Sequence, residues 1–130
     1  MSRYLLDTDV IIEILRSREG VTSQVEELFS DGHSLYYSPI SKTEIYQGIR
    51  KGEELKTARF FDQLDCLVID DEIGEKAGSY LKTFRKSHNL ELADALIAAS
   101  ANQTKASLFT FNRKHYPMKD IKFYPKAQSD

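Results

Sequence analysis

The sequence predicts an α/β protein, a three-layer α/β/α sandwich with a mostly parallel sheet of four or five strands between two layers of helices. Three observations carry that prediction. Tyr4-Leu5-Leu6, Leu35-Tyr36-Tyr37, Cys66-Leu67-Val68-Ile69 and Ser107-Leu108-Phe109-Thr110 are short, nearly unalternating apolar runs, as expected of strands covered on both faces. Stretches of helical periodicity separate them, which is the spacing of parallel strands joined by crossovers. The 130 residues are 41% hydrophobic and 29% charged, a globular composition large enough to bury one core.

Taken in order, the first strand ends at Asp7, and Val10-Ile11-Ile12 with Ile14-Leu15 then forms an apolar helical stripe. Val21, Val25, Leu28 and Phe29 recur at helical spacing before Asp31-Gly32 closes the helix. The second strand stops at Ser38-Pro39, a helix follows from Ser41 to Arg50, and another runs from Glu53 to Leu64. Cys66 to Ile69 is the third strand, with Cys66 expected to be inert packing. Asp70-Asp71 starts a long helix towards His88, and the Ala-rich stretch from Ala93 to Gln103 is a well-buried helix. Ser107 to Thr110 is the fourth strand and Ile121 to Tyr124 a fifth at an edge. His33 and His88 are expected at the surface.

Without repeats or a Gly/Ser linker, residues 1–130 are expected to form a single domain. No apolar run approaches the ~18 residues of a membrane span. The stretch after Met1-Ser2-Arg3 is too short for a secretion signal, so a cytoplasmic location is expected. A single cysteine excludes an internal disulfide framework and a cysteine-based metal cluster within the chain. Charge is uneven: residues 1–100 hold 12 basic and 18 acidic side chains, residues 101–130 six basic and two acidic. That basic segment, with Lys105, Arg113, Lys114, Lys119, Lys122 and Lys126, suits either a polyanion or solvent.

In an open parallel sheet, ligands bind beyond the carboxyl ends of the strands. Four segments leave strands or start helices there with acids or amides: Asp7-Thr8-Asp9, Ser41-Lys42-Thr43-Glu44, Leu92-Ala93-Asp94 and Thr110-Phe111-Asn112. Each acid also has a local role open to it. Asp7 or Asp9 can cap the following helix, Ser41 and Glu44 match a capping box, and Asp94 suits the positive end of a helix dipole. Yet Asp7 directly ends an apolar strand and Asp94 lies among Ala93, Ala95 and Leu96, where clustered carboxylates would be desolvated. Such a cluster needs a compensating cation, and oxygen-only ligands suit a hard one such as Mg²⁺ or Mn²⁺.

At these residues the chain resembles the PIN-domain ribonucleases, most closely the VapC toxins of bacterial and archaeal toxin–antitoxin pairs. The matching stretches are Tyr4-Leu5-Leu6-Asp7-Thr8-Asp9-Val10-Ile11-Ile12, Ser38 to Ile49 around Glu44, Leu92 to Ala101 around Asp94, and Leu108 to Tyr116. They stand in the family's order over nearly the whole chain. The resemblance implies cleavage of RNA dependent on Mg²⁺ or Mn²⁺, through a metal-activated water that leaves 5′-phosphate and 3′-hydroxyl ends. It implies Asp7, Glu44 and Asp94 as catalytic residues and metal ligands, with Thr110 and Asp9 supporting them from behind. The family's last motif commonly reads Thr-x-Asn/Asp-x-x-Asp/His-Phe; here it is Thr110, Asn112, His115 and Tyr116. Asn112 is then a neutral ligand or a holder of a metal water, and His115 either joins the site or lies at the surface.

The implied partners are an RNA substrate and a VapB-like antitoxin, with the protein expected as a homodimer or a toxin–antitoxin hetero-oligomer. Lys105, Arg113, Lys114 and Lys119 are candidate phosphate contacts. Ile45, Tyr46, Ile49, Leu55, Phe60 and Phe61 are candidates for the partner surface, or else for the core. Two other readings stay open: a PIN-type nuclease of RNA processing or DNA ends, and a non-enzymatic metal- or phosphate-binding module. A phospho-acceptor module of that last kind would use Asp70 or Asp71 after the third strand, although Asp7 and Asp9 are not the adjacent acidic pair it needs.

Overall fold

The computed structural model describes residues 2–17 and 19–125. Strands β1 (Arg3–Leu6), β2 (Ser34–Tyr37), β3 (Asp65–Cys66), β4 (Ser107–Phe109) and β5 (Lys122–Tyr124) form one sheet. Its order is β3-β2-β1-β4-β5, and every pairing is parallel. The first strand lies at the centre, where Leu5 is in register with Tyr36 on one side and Leu108 on the other. The predicted fold class is therefore observed, and the fifth strand lies at an edge as expected.

Helices α1 (Thr8–Leu15), α2 (Glu19–Ser30), α3 (Pro39–Gln47), α4 (Glu54–Asp62), α5 (Asp71–His88) and α6 (Leu92–Thr104) cover the sheet. Side chains of adjacent strand residues point to opposite faces, so each central strand feeds two apolar layers. Leu5 and Leu108 pack with Ile73, Ala98 and Leu90 on the side of α5 and α6. Leu6 and Phe109 pack with Val10, Val25, Ile45 and Phe61 on the side of α1 to α4. Leu5 and Leu6 are both fully buried. Truncating either to Ala should cost about 2–5 kcal/mol, read as a lower denaturant midpoint.

Local chemistry sets the helix starts that position the acids. Helix α3 begins at Pro39, whose fixed φ suits a first helical position, and is capped by Ser38, whose Oγ accepts from the Ile40 amide at 3.1 Å. The Ser41–Glu44 capping box is thus not formed. Ser41 lies inside the first turn, completely buried, because Ser38 and Pro39 just before it make the stronger start. The third strand is also shorter than expected. Only Asp65 and Cys66 belong to it; Leu67 turns into the core, Val68 is 75% exposed, and Cys66 is exposed rather than packed. An edge strand with a single neighbour leaves that thiol uncovered. Of the six candidate surface residues, Ile45 and Phe61 belong to the core, Ile49 and Phe60 are half-buried, and Tyr46 and Leu55 are exposed. His88 is exposed as expected. His33 is half-buried instead, with Tyr4 edge-on to its ring. Among the described residues, no helix is long and apolar enough to cross a membrane.

Candidate active site at the carboxyl ends of the strands

Because all five strands are parallel, their carboxyl ends open on one edge, and the residues leaving β1 and β4 meet there. The Asp7 amide makes a last rung to the Phe109 carbonyl at 2.9 Å, after which the chain turns into α1. Asp7 caps that helix, with Oδ1 accepting from the Thr8 amide at 2.8 Å. Its other oxygen accepts from the Thr110 hydroxyl at 2.9 Å and the Tyr116 hydroxyl at 2.8 Å. The capping role and a place in the site therefore coexist in one side chain, 7% exposed.

Asp9, in the first turn of α1, accepts from the Phe111 amide at 3.0 Å and the Val10 amide at 2.8 Å, tying the helix to the segment after β4. Glu44 reaches the same place from α3, where Oε1 lies 2.8 Å from the Thr8 hydroxyl. Thr8 Oγ1 is also 2.9 Å from the buried Ser41 Oγ. A hydroxyl carries one proton. Thr8 donates it to the carboxylate and accepts from Ser41, a relay of Ser41 to Thr8 to Glu44. Asp94, in the first turn of α6, is half-buried and is held by a backbone bond from Glu91.

Asp7, Asp9, Glu44, Asp94, Asn112, His115 and Tyr116 converge on one recess of about 140 Å³, with Thr8 and Ile97 completing its wall. Thr110 lies beneath, 4% exposed. Among the described residues, no lysine or arginine lines the recess. Burial, reinforced by the charge of Asp7, pushes the Asp9 carboxyl above the ordinary carboxylate range. Asp94 is raised as well, first by burial and then by Asp7, against a bond from the Glu91 backbone and the nearby His115. Burial and the same acids push the Tyr116 phenol far above its ordinary range.

Carboxylate and amide oxygens dominate this lining and suit a hard divalent cation; among the described residues no lysine or arginine joins them, and the nearby His115 opposes the rise of Asp94 only in part. Among the described residues, no three His, Cys, Asp or Glu side chains stand close enough to ligate one ion together. That is compatible with Mg²⁺, which keeps several waters and takes one or two carboxylates directly.

The basic residues expected to contact flanking phosphates do not line the recess itself. The Arg113 guanidinium stacks on Phe123 at 5.2 Å and donates to the Pro125 carbonyl. Lys105 caps the far end of α6 with φ 60°, and Lys119 borders a hollow beside Tyr80 and Asp120. Lys114 is exposed on the short 3-10 turn Arg113–His115. Lys126 lies outside the described residues. Asp70 caps α5 through the Ile73 amide at 2.9 Å and takes no part in the recess, so the acid a phospho-acceptor would need is not there. The sequence assigns no place in the site to Thr8 or Tyr116, and it offers Ser41 only as a helix cap. Thr8 stands next to Asp7, and Tyr116 occupies a place where the related motif carries Phe; those were the available signals.

The PIN domain family matches residues 4–122, in one stretch that contains every residue of the recess. The chain belongs to the PIN-domain family. Among its relatives, ribonuclease VapC10 of Mycobacterium tuberculosis is 32% identical over 88% of this chain and 86% of its own. Ribonuclease VapC19 of the same organism is 29% identical over 88% and 92%. The crystal structure of DNA-bound VapBC from Salmonella typhimurium superposes with a TM-score of 0.81 at 20% identity, covering 95% of this chain and 97% of that one. The resemblance to PIN-domain VapC proteins is thereby met, and the recess lies at the carboxyl edge of a PIN-domain sheet.

Proposed function

We propose that this PIN-domain protein is the toxin of a type II toxin–antitoxin pair, an endoribonuclease dependent on Mg²⁺ or Mn²⁺. The observation that carries the reading is the convergence of Asp7, Asp9, Glu44 and Asp94 on one recess where, among the described residues, no lysine or arginine joins them. One or two of Asp7, Glu44 and Asp94 would hold the ion directly and the rest through its waters, with Asn112 as a neutral oxygen donor at the rim. When bound, the ion supplies positive charge to the phosphodiester and lowers the pKa of water.

The chain's own residues set the geometry. Thr110 and Tyr116 fix Asp7, and the Ser41–Thr8 relay fixes Glu44. Asp94 is held by a backbone bond from Glu91, within its own helix turn. Phosphate cannot enter an uncompensated cluster of acids, so activity requires the cation.

An antitoxin partner is supported by the neighbouring groove. A hollow of about 360 Å³ between α1, α3 and α4 is lined by Ile12, Leu15, Ile45 and Ile49 together with Arg16, Arg50 and Lys56. Glu44 borders both hollows, so a segment seated in the groove reaches the edge of the recess. The names of the relatives support the same reading: ribonuclease for two of them, a VapBC pair for the structure.

The test is incubation of the full chain with total bacterial RNA and Mg²⁺, with and without EDTA, beside Asp7→Asn and Asp94→Asn. A few discrete cuts, lost with chelator and in both variants, are expected. Equal cutting in EDTA would sink the metal-dependent reading, and cutting of DNA but not RNA would move the protein to another branch of PIN nucleases.

A further inference from the structure

We propose that Tyr116 is a positioning residue for Asp7, its hydroxyl fixing the plane in which that carboxylate meets a divalent cation. The inference rests on the reading of the recess given above. Tyr116 is 4% exposed, and its ring lies in the apolar layer beneath α5 and α6, 6.4 Å from that of Phe123. Such a ring needs no hydroxyl to pack. Its hydroxyl nevertheless lies 2.8 Å from Asp7 Oδ2, across 109 residues of sequence.

The same oxygen accepts from Thr110 Oγ1 at 2.9 Å, and Oδ1 accepts from the Thr8 amide at 2.8 Å. A carboxylate has about four lone-pair sites, two on each oxygen. Both sites of Oδ2 are therefore filled, one of Oδ1 is filled, and a single site on Oδ1 stays open. The three donors come from the start of α1, the end of β4 and the turn after Arg113–His115, so it takes all three together to fix the carboxylate plane. Removing the Tyr116 hydroxyl leaves Thr110 alone on Oδ2, and the open site of Oδ1 loses its fixed direction.

This goes beyond a packing role because phenylalanine would supply the same ring. Groups that orient a metal ligand through a hydrogen bond typically change affinity about 10- to 100-fold when lost.

The experiment titrates Mn²⁺ into the full chain, followed by electron paramagnetic resonance and calorimetry, for the wild type, Tyr116→Phe, Thr110→Val, their double variant and Asp7→Asn. Thermal midpoints in EDTA report folding separately. Tyr116→Phe should bind Mn²⁺ about 10-fold or more weakly, and its RNA cleavage should recover as Mn²⁺ is raised. The two single losses should not add in the double variant, because both donors act on one oxygen. A Tyr116→Phe titration within about twofold of wild type would overturn the inference, whatever its thermal midpoint. If Asp7→Asn binds Mn²⁺ like the wild type, the reading of the recess itself fails. If Asp7→Asn loses the ion while Tyr116→Phe keeps it, only the role of Tyr116 falls.

Discussion

Asp120 and Asp7 each accept a hydrogen bond from a buried tyrosine, Tyr80 at 2.7 Å and Tyr116 at 2.8 Å. Their surroundings then diverge. The second oxygen of Asp120 meets the Lys76 ammonium at 2.8 Å. Burial works against that carboxylate, but the lysine and the tyrosine outweigh it and hold its pKa below the ordinary value. Among the described residues no lysine or arginine meets Asp7 in the recess; its neighbours are Asp9 and Asp94, both pushed upwards by burial and by Asp7 itself. The first arrangement is complete as a piece of structure. The second keeps raised carboxylates with His115 as a partial offset, and on the function proposed above it is completed by positive charge from outside.

Replacing one acid of the uncompensated set gives the largest effect. Asp94→Asn should lower RNA cleavage by about 10²–10³-fold or more, while raising the thermal midpoint in EDTA by a few degrees because burial no longer opposes a charge. A lower midpoint in EDTA would erase the contrast with Asp120. Next in size, Mg²⁺ at a hundred times its dissociation constant should stabilise the wild type by about 2.7 kcal/mol, seen in a thermal scan. Asp7→Asn should show no such rise.

The pH dependence should have opposite signs in the two places. Asp9 and Asp94 rise above 3.8, so the folded chain binds protons that the unfolded chain has released. In EDTA their contribution falls as pH climbs from about 3.8 through the raised values, and saturating Mg²⁺ should flatten that slope. Asp120 is lowered, so its contribution is present above 3.8 and disappears as pH falls through the lowered value. Denaturant titrations between acid and neutral pH, with Asp94→Asn and Lys76→Met as controls, separate the two. The smallest effect is that of Lys76→Met itself. With the two side chains 30% and 47% exposed, solvent screens the pair and its loss should cost no more than about 1 kcal/mol.

Much of this was legible in the sequence because an all-parallel sheet converts strand ends into one edge. Asp7 follows an apolar run directly, Glu44 lies shortly after the second strand, and Asp94 stands among alanines; reading what leaves each strand found all three. What escaped depended on contacts between distant segments. The hydroxyls of Thr8, Ser41 and Tyr116 have no periodicity to betray them, and their partners lie 33 to 109 residues away. Competing local signals misled at Ser41, where a plausible capping box lost to Ser38 and Pro39. Cys66 looked buried because apolar neighbours follow it, yet an edge strand has only one side to hide behind. Arg113 drew attention by its charge, and its contacts with the Phe123 ring and the Pro125 carbonyl could not be read from the sequence.

The central strand carries one more lesson. Leu5 and Leu6 feed different apolar layers, and Asp7 comes immediately after them. Inserting or deleting a single residue within Arg3–Leu6 would exchange the two leucines between layers and carry the acid to the wrong side of the turn. The position of the reactive edge is thus written into the interior, and evolution can rework the surrounding loops freely while this one tetrapeptide keeps its length.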